Sequence, residues 1–217
     1  METIDDDSSV ESQTWIQWFC DREGHEFFCE IDEEYIRDQF NLYGLKPKFT
    51  RYQEAIRMIL REDPPEEEEF NQEEFLEVYQ QAVDLYGLIH ARFILTLRGA
   101  SLMREKYTLG EFGICPRILC ERQYVLPIAK IEELNVSRVK VYCPRCQDCY
   151  WPRGSSCDLD GTYFGVSFPQ SFIQFFPDMF KDFPACKEFS TKLYGFSVFG
   201  KKKDLNMNIS IIKRRDY

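Results

Sequence analysis

Residues 115–120 read CPRILC and residues 143–146 read CPRC, with twenty-two residues between the two cysteine pairs. Two close thiol pairs separated in this way can converge on one tetrahedral ion, and Zn2+ favours four thiolates in a closed structural site. Both pairs begin Cys-Pro-Arg, which is typical of short turns whose backbone amides stabilise thiolate charge. The sequence therefore predicts one structural zinc ion per chain, held by Cys115, Cys120, Cys143 and Cys146.

The second ligand pair has an alternative. Cys149 follows Cys146 with two residues between them, so that Cys146 and Cys149 also have a metal-binding spacing. The repeated Cys-Pro-Arg favours Cys143 and Cys146. The other four cysteines are interpreted as small buried hydrophobes or free thiols: Cys20, Cys29, Cys157 and Cys186.

Upstream of the cysteine pairs the sequence has a helical pattern. Apolar side chains recur at helical spacing over residues 52–60 and again over 75–97. Another helix opens at Asp32-Glu33-Glu34, because carboxylates stabilise a helix N-terminus. Gly87 marks a bend or a close helix contact inside the long stretch. Gly99 is expected to end that stretch, with one more short helix over residues 100–107.

Downstream of Gly110 the helical period disappears and cysteine, proline and glycine occur at short intervals. Three segments are typical of short strands, namely 125–128, 139–142 and 162–166. A short helix is expected over about 169–176. The pattern as a whole predicts the α+β class. The expected order is a flexible acidic tail over 1–12, a mainly helical domain over 13–110, a small β zinc ribbon over 111–186, and an extended C-terminal segment with a basic tail over 187–217.

The charge is unevenly distributed along the chain. The formal net charge is −10, and 23 of the 37 acidic residues lie in residues 1–80. This anionic half disfavours nucleic acid as a direct partner and favours cationic partners. No apolar run approaches the ~18–20 residues that span a bilayer. The acidic N-terminus also lacks the apolar core of a secretory signal. We therefore expect no membrane partner and a reducing compartment.

An acidic loop over residues 61–69 carries six carboxylates within eight positions. The first interpretation is a solvated loop, which is what most runs of like charge are. The second is a docking site for polyamines or basic substrate segments, with an attraction screened over ~8 Å at physiological salt. The sequence leaves the two open for Glu62, Asp63, Glu66, Glu67, Glu68 and Glu69.

Motifs of the common enzyme classes are absent from the sequence, which has neither a phosphate-binding glycine loop nor a His-Glu-x-x-His motif. Of the two histidines, His90 lies in a helical apolar stretch and is interpreted as a satisfied core residue. His25 lies in a turn and has no assigned role. The protein is therefore expected not to be an enzyme.

Two terminal features have two interpretations each. Ser8 and Ser9 lie in an acidic tail, where they are either phosphorylation sites or part of an inert tail. Residues 193–199 read LYGFSVF and alternate in strand period, so that Tyr194 and Phe196 would point to the same side of an extended strand. This apolar island either packs on its own core, which the pattern alone slightly favours, or anchors a partner through Leu193, Tyr194, Phe196, Val198 and Phe199.

Seven motifs along the chain resemble the beta regulatory subunits of casein kinase II. They are WIQWFC at 15–20, HEFFCE at 25–30, LYGLIHAR at 85–92, FGICPR at 112–117, YCPRC at 142–146, DGTYFG at 160–165 and LYGF at 193–196. The resemblance implies a homodimer built around two zinc ribbons, with one catalytic alpha subunit docked on each C-terminal segment. It also implies that the four cysteines named above hold the zinc and that Tyr194 and Phe196 anchor the alpha subunit.

The resemblance also places residues 61–69 at the family's acidic loop and Ser8 and Ser9 at its N-terminal phosphorylation sites. The expected localisation is cytoplasmic and nuclear. The competing hypothesis is a zinc ribbon that binds nucleic acid or serves transcription. Residues 111–153 hold 7 basic and 5 acidic side chains, a weak balance for contacts with phosphates.

Overall fold

The structure, a computed structural model, describes residues 13–181, 190 and 192–197. The described residues belong to two compact units, the first over 13–181 and the second over 190 and 192–197. The first unit combines helices with a small antiparallel sheet, which confirms the predicted α+β class. Among the described residues, no helix has the length and apolar character needed to span a membrane.

Five helices build the N-terminal part of the first unit. Thr14 caps the first helix, since its hydroxyl accepts a hydrogen bond from the Gln17 amide while the Gln17 side chain bonds back to the Thr14 amide. The fourth helix is the longest of the five, and its inward face is buried along most of its length. The helices are α1 Trp15–Asp21, α2 Glu33–Arg37, α3 Tyr52–Ile59, α4 Glu73–Phe93 and α5 Leu97–Leu109.

The break between α4 and α5 differs from the prediction. We expected one helix to run to Gly99, but α4 ends at Phe93, and Thr96 caps α5 through a hydrogen bond from the Gly99 amide to its hydroxyl (3.1 Å). Gly99 therefore lies in the first turn of α5. A Cβ atom there would lie 2.2 Å from the Phe93 carbonyl oxygen, so glycine is required by the close approach of the two helices.

Three short strands form the sheet of the ribbon. They are β1 Leu126–Ile128, β2 Lys140–Tyr142 and β3 Cys149–Tyr150, in the antiparallel order β1-β2-β3. The first two confirm predicted strands. The prediction of a strand over 162–166 is wrong, because residues Gly161–Tyr163 form a 3-10 turn that Asp160 caps by accepting from the Thr162 amide.

A sixth helix, α6 Phe168–Phe175, follows that turn and confirms the helix expected there. The 3-10 turn at Gly161–Tyr163 packs against α4 and ties the helices to the ribbon. Gly87 makes this possible, because a Cβ atom at its position would lie 2.0 Å from the Tyr163 ring. The close contact predicted at Gly87 is therefore present, with an aromatic ring in place of a helix.

The second unit contains a two-stranded hairpin, β4 Lys192–Leu193 paired with β5 Phe196–Ser197. Tyr194 and Gly195 form its turn, with φ angles of +51° and +87°. Two successive positive φ angles match the tight turns whose twist suits a hairpin. The expectation that Tyr194 lies on an extended strand is therefore wrong, because the chain reverses direction at this residue.

Candidate metal centre and partner-binding elements

The sulfur atoms of four cysteines meet in the ribbon. The Sγ atoms of Cys115, Cys120, Cys143 and Cys146 all lie within 4.8 Å of one another. The Cys115 and Cys146 sulfurs are 3.9 Å apart. Four sulfurs at ~2.3 Å from a tetrahedral zinc ion lie roughly 3.8 Å from each other. The four thiols are therefore close enough together to hold one tetrahedral metal ion.

Two turns hold these ligands. The Cys115 amide donates to the Gln123 carbonyl (2.7 Å), which closes the first loop around residues 115–120. Cys143 directly follows β2, and its amide donates to the Asp148 carbonyl (3.0 Å). Gln147 completes this second turn with a φ of +59°. Both loops are thus fixed by the β pairing that continues from them, since β1 and β2 lie side by side.

Burial opposes ionisation of the thiols in this cluster. The side chains of Cys120 and Cys143 are fully buried, and burial raises the pKa of Cys143 to about 12 and that of Cys120 further still. Burial also opposes ionisation of Cys146, but the hydrogen bonds from the Tyr150 hydroxyl (3.3 Å) and the Asp148 amide outweigh it and lower its pKa to about 7. A bound cation supplies the charge that four buried thiolates require.

Arg145 supports the cluster from outside the ligand set. Its guanidinium, largely buried, donates to the Cys120 carbonyl (3.0 Å) and to the Glu121 carboxylate (3.1 Å), so it joins the second cysteine turn to the first. The repeated Cys-Pro-Arg is visible in the sequence, but it does not predict this role of Arg145. Tyr150 was also missed, because a hydroxyl four residues from a ligand has no signature in the sequence.

The donor set is four sulfurs, which suits Zn2+ in a closed structural site and leaves no position for a reacting water. Cys149 lies in β3, is exposed, and does not belong to the cluster. The choice of Cys143 over Cys149 as a partner of Cys146 therefore agrees with the geometry. Cys20 and Cys29 are unpaired thiols in the helical part, where burial raises the pKa of Cys20 to about 12.

His90 is a satisfied core residue, as predicted. The ring is fully buried, its Nδ1 lies 2.8 Å from the Tyr163 carbonyl, and its Nε2 accepts from the Cys29 amide at 3.2 Å. Burial lowers the pKa of His90 to about 4. A neutral ring with both nitrogens engaged has no free position for acid–base chemistry.

The acidic loop is divided by its contacts. Five of its carboxylates belong to exposed residues, namely Glu62, Asp63, Glu66, Glu67 and Glu68. Glu69 differs, because its carboxylate accepts from Arg61 (2.9 and 3.1 Å) and from the Glu66 amide (2.8 Å). The hydrogen bond from Arg61 holds the pKa of Glu69 below its usual value. Glu69 therefore fixes the loop, while the other five face solvent.

The hairpin presents aromatic side chains to solvent. Tyr194 is 94% exposed and Phe196 is 79% exposed, although large aromatic rings are usually at least half-buried. Of the other predicted members of this group, Leu193 lies in β4, whereas Val198 and Phe199 lie outside the described residues, as do Ser8 and Ser9.

The fold and the four-cysteine cluster define a class of protein, a helical domain joined to a metal-binding β ribbon. Comparison with known proteins is more specific. The family model for the casein kinase II regulatory subunit matches residues 14–197. The chain therefore belongs to the family of casein kinase II regulatory subunits, which are non-catalytic, and the resemblance seen in the sequence motifs is confirmed.

Similar proteins come from distant organisms. The chain is 46% identical to casein kinase II subunit beta' of Drosophila melanogaster, over 87% of this chain and 85% of that protein. It is 41% identical to casein kinase II subunit beta of Schizosaccharomyces pombe, over 91% and 86%. It is 40% identical to casein kinase II subunit beta of Dictyostelium discoideum, over 94% and 76%. The similarity thus extends over both the helical part and the ribbon.

Proposed function

We propose that the protein is a regulatory subunit that dimerises through its ribbon, holds one structural zinc ion per chain, and docks a catalytic alpha subunit of casein kinase II on its C-terminal hairpin. The observation that carries the proposal is the family match over residues 14–197, which includes both the four-cysteine cluster and the hairpin. A dimer of this kind binds two catalytic subunits, and it acts in the cytoplasm and the nucleus.

Docking is supported by the chemistry of the hairpin. Two aromatic side chains that remain in water contribute little to the folding of their own unit. Buried in a groove of a second protein, side chains of this kind are typical binding hot spots. The Tyr194-Gly195 turn places Tyr194 at the tip of the hairpin and Phe196 directly after it in β5, so both rings are held close together before a partner binds.

Dimerisation is supported by apolar exposure at the metal loops. Ile118 lies between two of the metal-binding cysteines and is 91% exposed. Leu109 and Tyr124, close to it in sequence on either side of the first cysteine loop, are also exposed. Burial of an isoleucine side chain contributes ~1.5–3 kcal/mol. A second copy of the ribbon that covers these side chains would recover that free energy.

The exposed carboxylates of the acidic loop support a further role in binding polyamines or basic substrate segments. The alternative hypothesis, a ribbon that binds nucleic acid, is disfavoured by the small excess of 7 basic over 5 acidic side chains in residues 111–153. Zinc is the expected metal because of the all-sulfur donor set.

The test combines sizing with calorimetric titration of the full chain. We expect a dimer with one zinc ion per chain and a stoichiometry of one catalytic alpha subunit per chain. Removal of zinc by a chelator should convert the dimer to monomers or aggregates, since the metal contributes folding free energy. A monomeric zinc-loaded chain, or one that gives no heat with the alpha subunit, would contradict the proposal.

A further inference from the structure

A cleft of about 560 Å3 lies between α2 and α3, far in sequence from the ribbon and the hairpin. One wall is formed by Tyr52 and Ile56 of α3 and by Leu60, the residue that caps its C-terminus, at four-residue spacing. Ile36 of α2 and Leu42 contribute further apolar surface. The cleft is therefore large enough, and apolar enough, to take one or two aliphatic side chains.

The charged residues that line this cleft are cationic. They are Arg37 and Lys46, and among the residues that the structure describes no acidic side chain lines it. Arg37 pairs with Glu33 at 3.0 Å, whereas Lys46 forms no ion pair with any residue that the structure describes. This is unusual for the surrounding sequence, because residues 1–80 carry 23 acidic and 7 basic side chains. The lining favours an anionic ligand with apolar side chains.

An exposed aromatic side chain lines the same cleft, and a second exposed ring lies close to it in sequence. Tyr43 contributes to its lining and is 83% exposed, and Phe40, three residues earlier, is 85% exposed. Both follow α2 in a series of turns that lead to the 3-10 helix Lys46–Lys48. The Tyr43 ring would cover part of an extended segment laid across the cleft and remove it partly from water.

A segment of matching chemistry belongs to the same chain. Residues 1–12 read METIDDDSSVES, with five acidic residues, no basic residue, and the aliphatic side chains Ile4 and Val10. This segment joins the described chain close to the cleft, since the Trp15 amide donates to the Arg61 carbonyl at 3.1 Å and the preceding Leu60 lines the cleft. Twelve residues can extend ~40 Å, which exceeds the length of an eight-residue helix such as α3 several-fold.

We propose that the cleft between α2 and α3 binds residues 1–12 of its own chain. An aliphatic side chain of the segment enters the apolar cleft, and the carboxylates of Asp5, Asp6 and Asp7 pair with Lys46 and Arg37. Occupancy of the cleft by the segment therefore depends on the charge of both.

The test is methyl NMR on the full chain with labelled isoleucine side chains. We expect cross-relaxation between the Ile4 methyl and the methyls of Ile36 or Ile56, with Ile4 assigned by the Ile4→Val variant. Replacement of Asp5, Asp6 and Asp7 by asparagine should reduce the cross-peak at least twofold. Lys46→Glu should reduce it by a similar factor or abolish it.

Lys48→Glu is the matched control, because Lys48 lies in the same 3-10 helix but does not line the cleft. It should leave the cross-peak unchanged, and equal loss in the Lys46 and Lys48 variants would overturn the proposal. Absence of the cross-peak in the wild-type chain would also overturn it. The segment of a second copy of the chain could also occupy the cleft, and a mixture of labelled and unlabelled chains distinguishes the two arrangements. A cross-peak that arises only between chains would show that a second copy occupies the cleft, and it would contradict binding in the same chain.

Discussion

The four-cysteine cluster and the C-terminal hairpin place their side chains in opposite environments, because the cluster buries thiols and the hairpin exposes aromatic rings. Cys120 and Cys143 are fully buried, while Tyr194 is 94% exposed and Phe196 is 79% exposed. Buried thiols with raised pKa values are inert until a bound cation compensates the negative charge of the thiolates. Their contribution is therefore to folding, through the metal ion that they can hold. Exposed aromatic rings contribute little free energy to the folding of their own unit. Under the proposed function, the first region serves stability and the second serves association.

Loss of one buried ligand should have the largest effect. Cys143→Ser removes a thiolate from a site whose metal contributes on the order of 10 kcal/mol in comparable small zinc domains. We expect zinc content to fall to a small fraction of one ion per chain and the ribbon to lose its cooperative unfolding transition. Elemental analysis and thermal denaturation followed by circular dichroism measure both quantities.

Cys149→Ser is the matched control for this change, because Cys149 lies six residues from Cys143 and is exposed. It should keep one zinc ion per chain and leave the melting temperature within about 2 °C, since exposed substitutions change stability by roughly 0.5 kcal/mol or less. Full zinc content in Cys143→Ser together with metal loss in Cys149→Ser would assign the ligand role to Cys149 instead.

The same contrast explains how much could be predicted from the sequence. Cys115, Cys120, Cys143 and Cys146 were identifiable because metal chemistry requires particular side chains at particular spacings. The aromatic residues of 193–199 had no comparable requirement, and pattern alone slightly favoured packing on their own core. The family resemblance changed this interpretation to a partner anchor, and the exposure of Tyr194 and Phe196 is consistent with it.

The errors in the fold prediction have local causes. The helix break at Phe93 is not predicted from the sequence, because apolar side chains continue in helical period through Ile94 and Leu97. The cap that starts α5 is also a single hydroxyl group, that of Thr96. Residues 162–166 are rich in aromatic and β-branched side chains, which are typical of strands. The Asp160 cap and the contact of Tyr163 with α4 outweighed that preference.

Truncation of one hairpin ring should have an intermediate effect, on association and not on stability. Phe196→Ala removes a side chain that is 79% exposed in the free chain, so the melting temperature and the zinc content should not change. As a hot spot the ring would contribute ~1.4–3.5 kcal/mol to docking, which corresponds to a loss of roughly tenfold to several hundredfold in affinity. Calorimetric titration with the catalytic alpha subunit measures this loss.

Phe40→Ala provides the comparison, because Phe40 is equally exposed but lies in the helical part of the first unit. Its affinity for the alpha subunit should equal that of the wild type. An affinity loss of the same size in both variants would indicate a general effect of surface aromatics. Unchanged affinity in Phe196→Ala alone would move the docking site away from the hairpin.

Substitutions in the acidic loop should give the smallest effects. They also distinguish a role in association from a role in stability within one segment. Simultaneous replacement of Glu66, Glu67 and Glu68 by glutamine removes exposed charge and should leave the free energy of unfolding within ~0.5 kcal/mol of the wild type. It should weaken the response of the kinase complex to spermine about twofold to threefold at low salt, and less at high salt, because exposed charges are screened. An unchanged spermine titration would contradict a polyamine role.

Glu69→Gln should do the reverse. Its carboxylate is held by Arg61 at 2.9 Å and by the Glu66 amide, so its loss should cost ~0.5–1 kcal/mol, the range of a partly exposed ion pair, with little change in the spermine response. Because Arg61 lowers the pKa of Glu69, this stabilisation is present above the unfolded pKa of about 4.5 and is lost as the pH falls through the lower folded value. Urea denaturation of the wild type and of Glu69→Gln should therefore give different free energies of unfolding at pH 7, and the difference should shrink as the pH falls below the unfolded pKa. A difference that stays constant as the pH falls would mean that shape, and not charge, gives Glu69 its role.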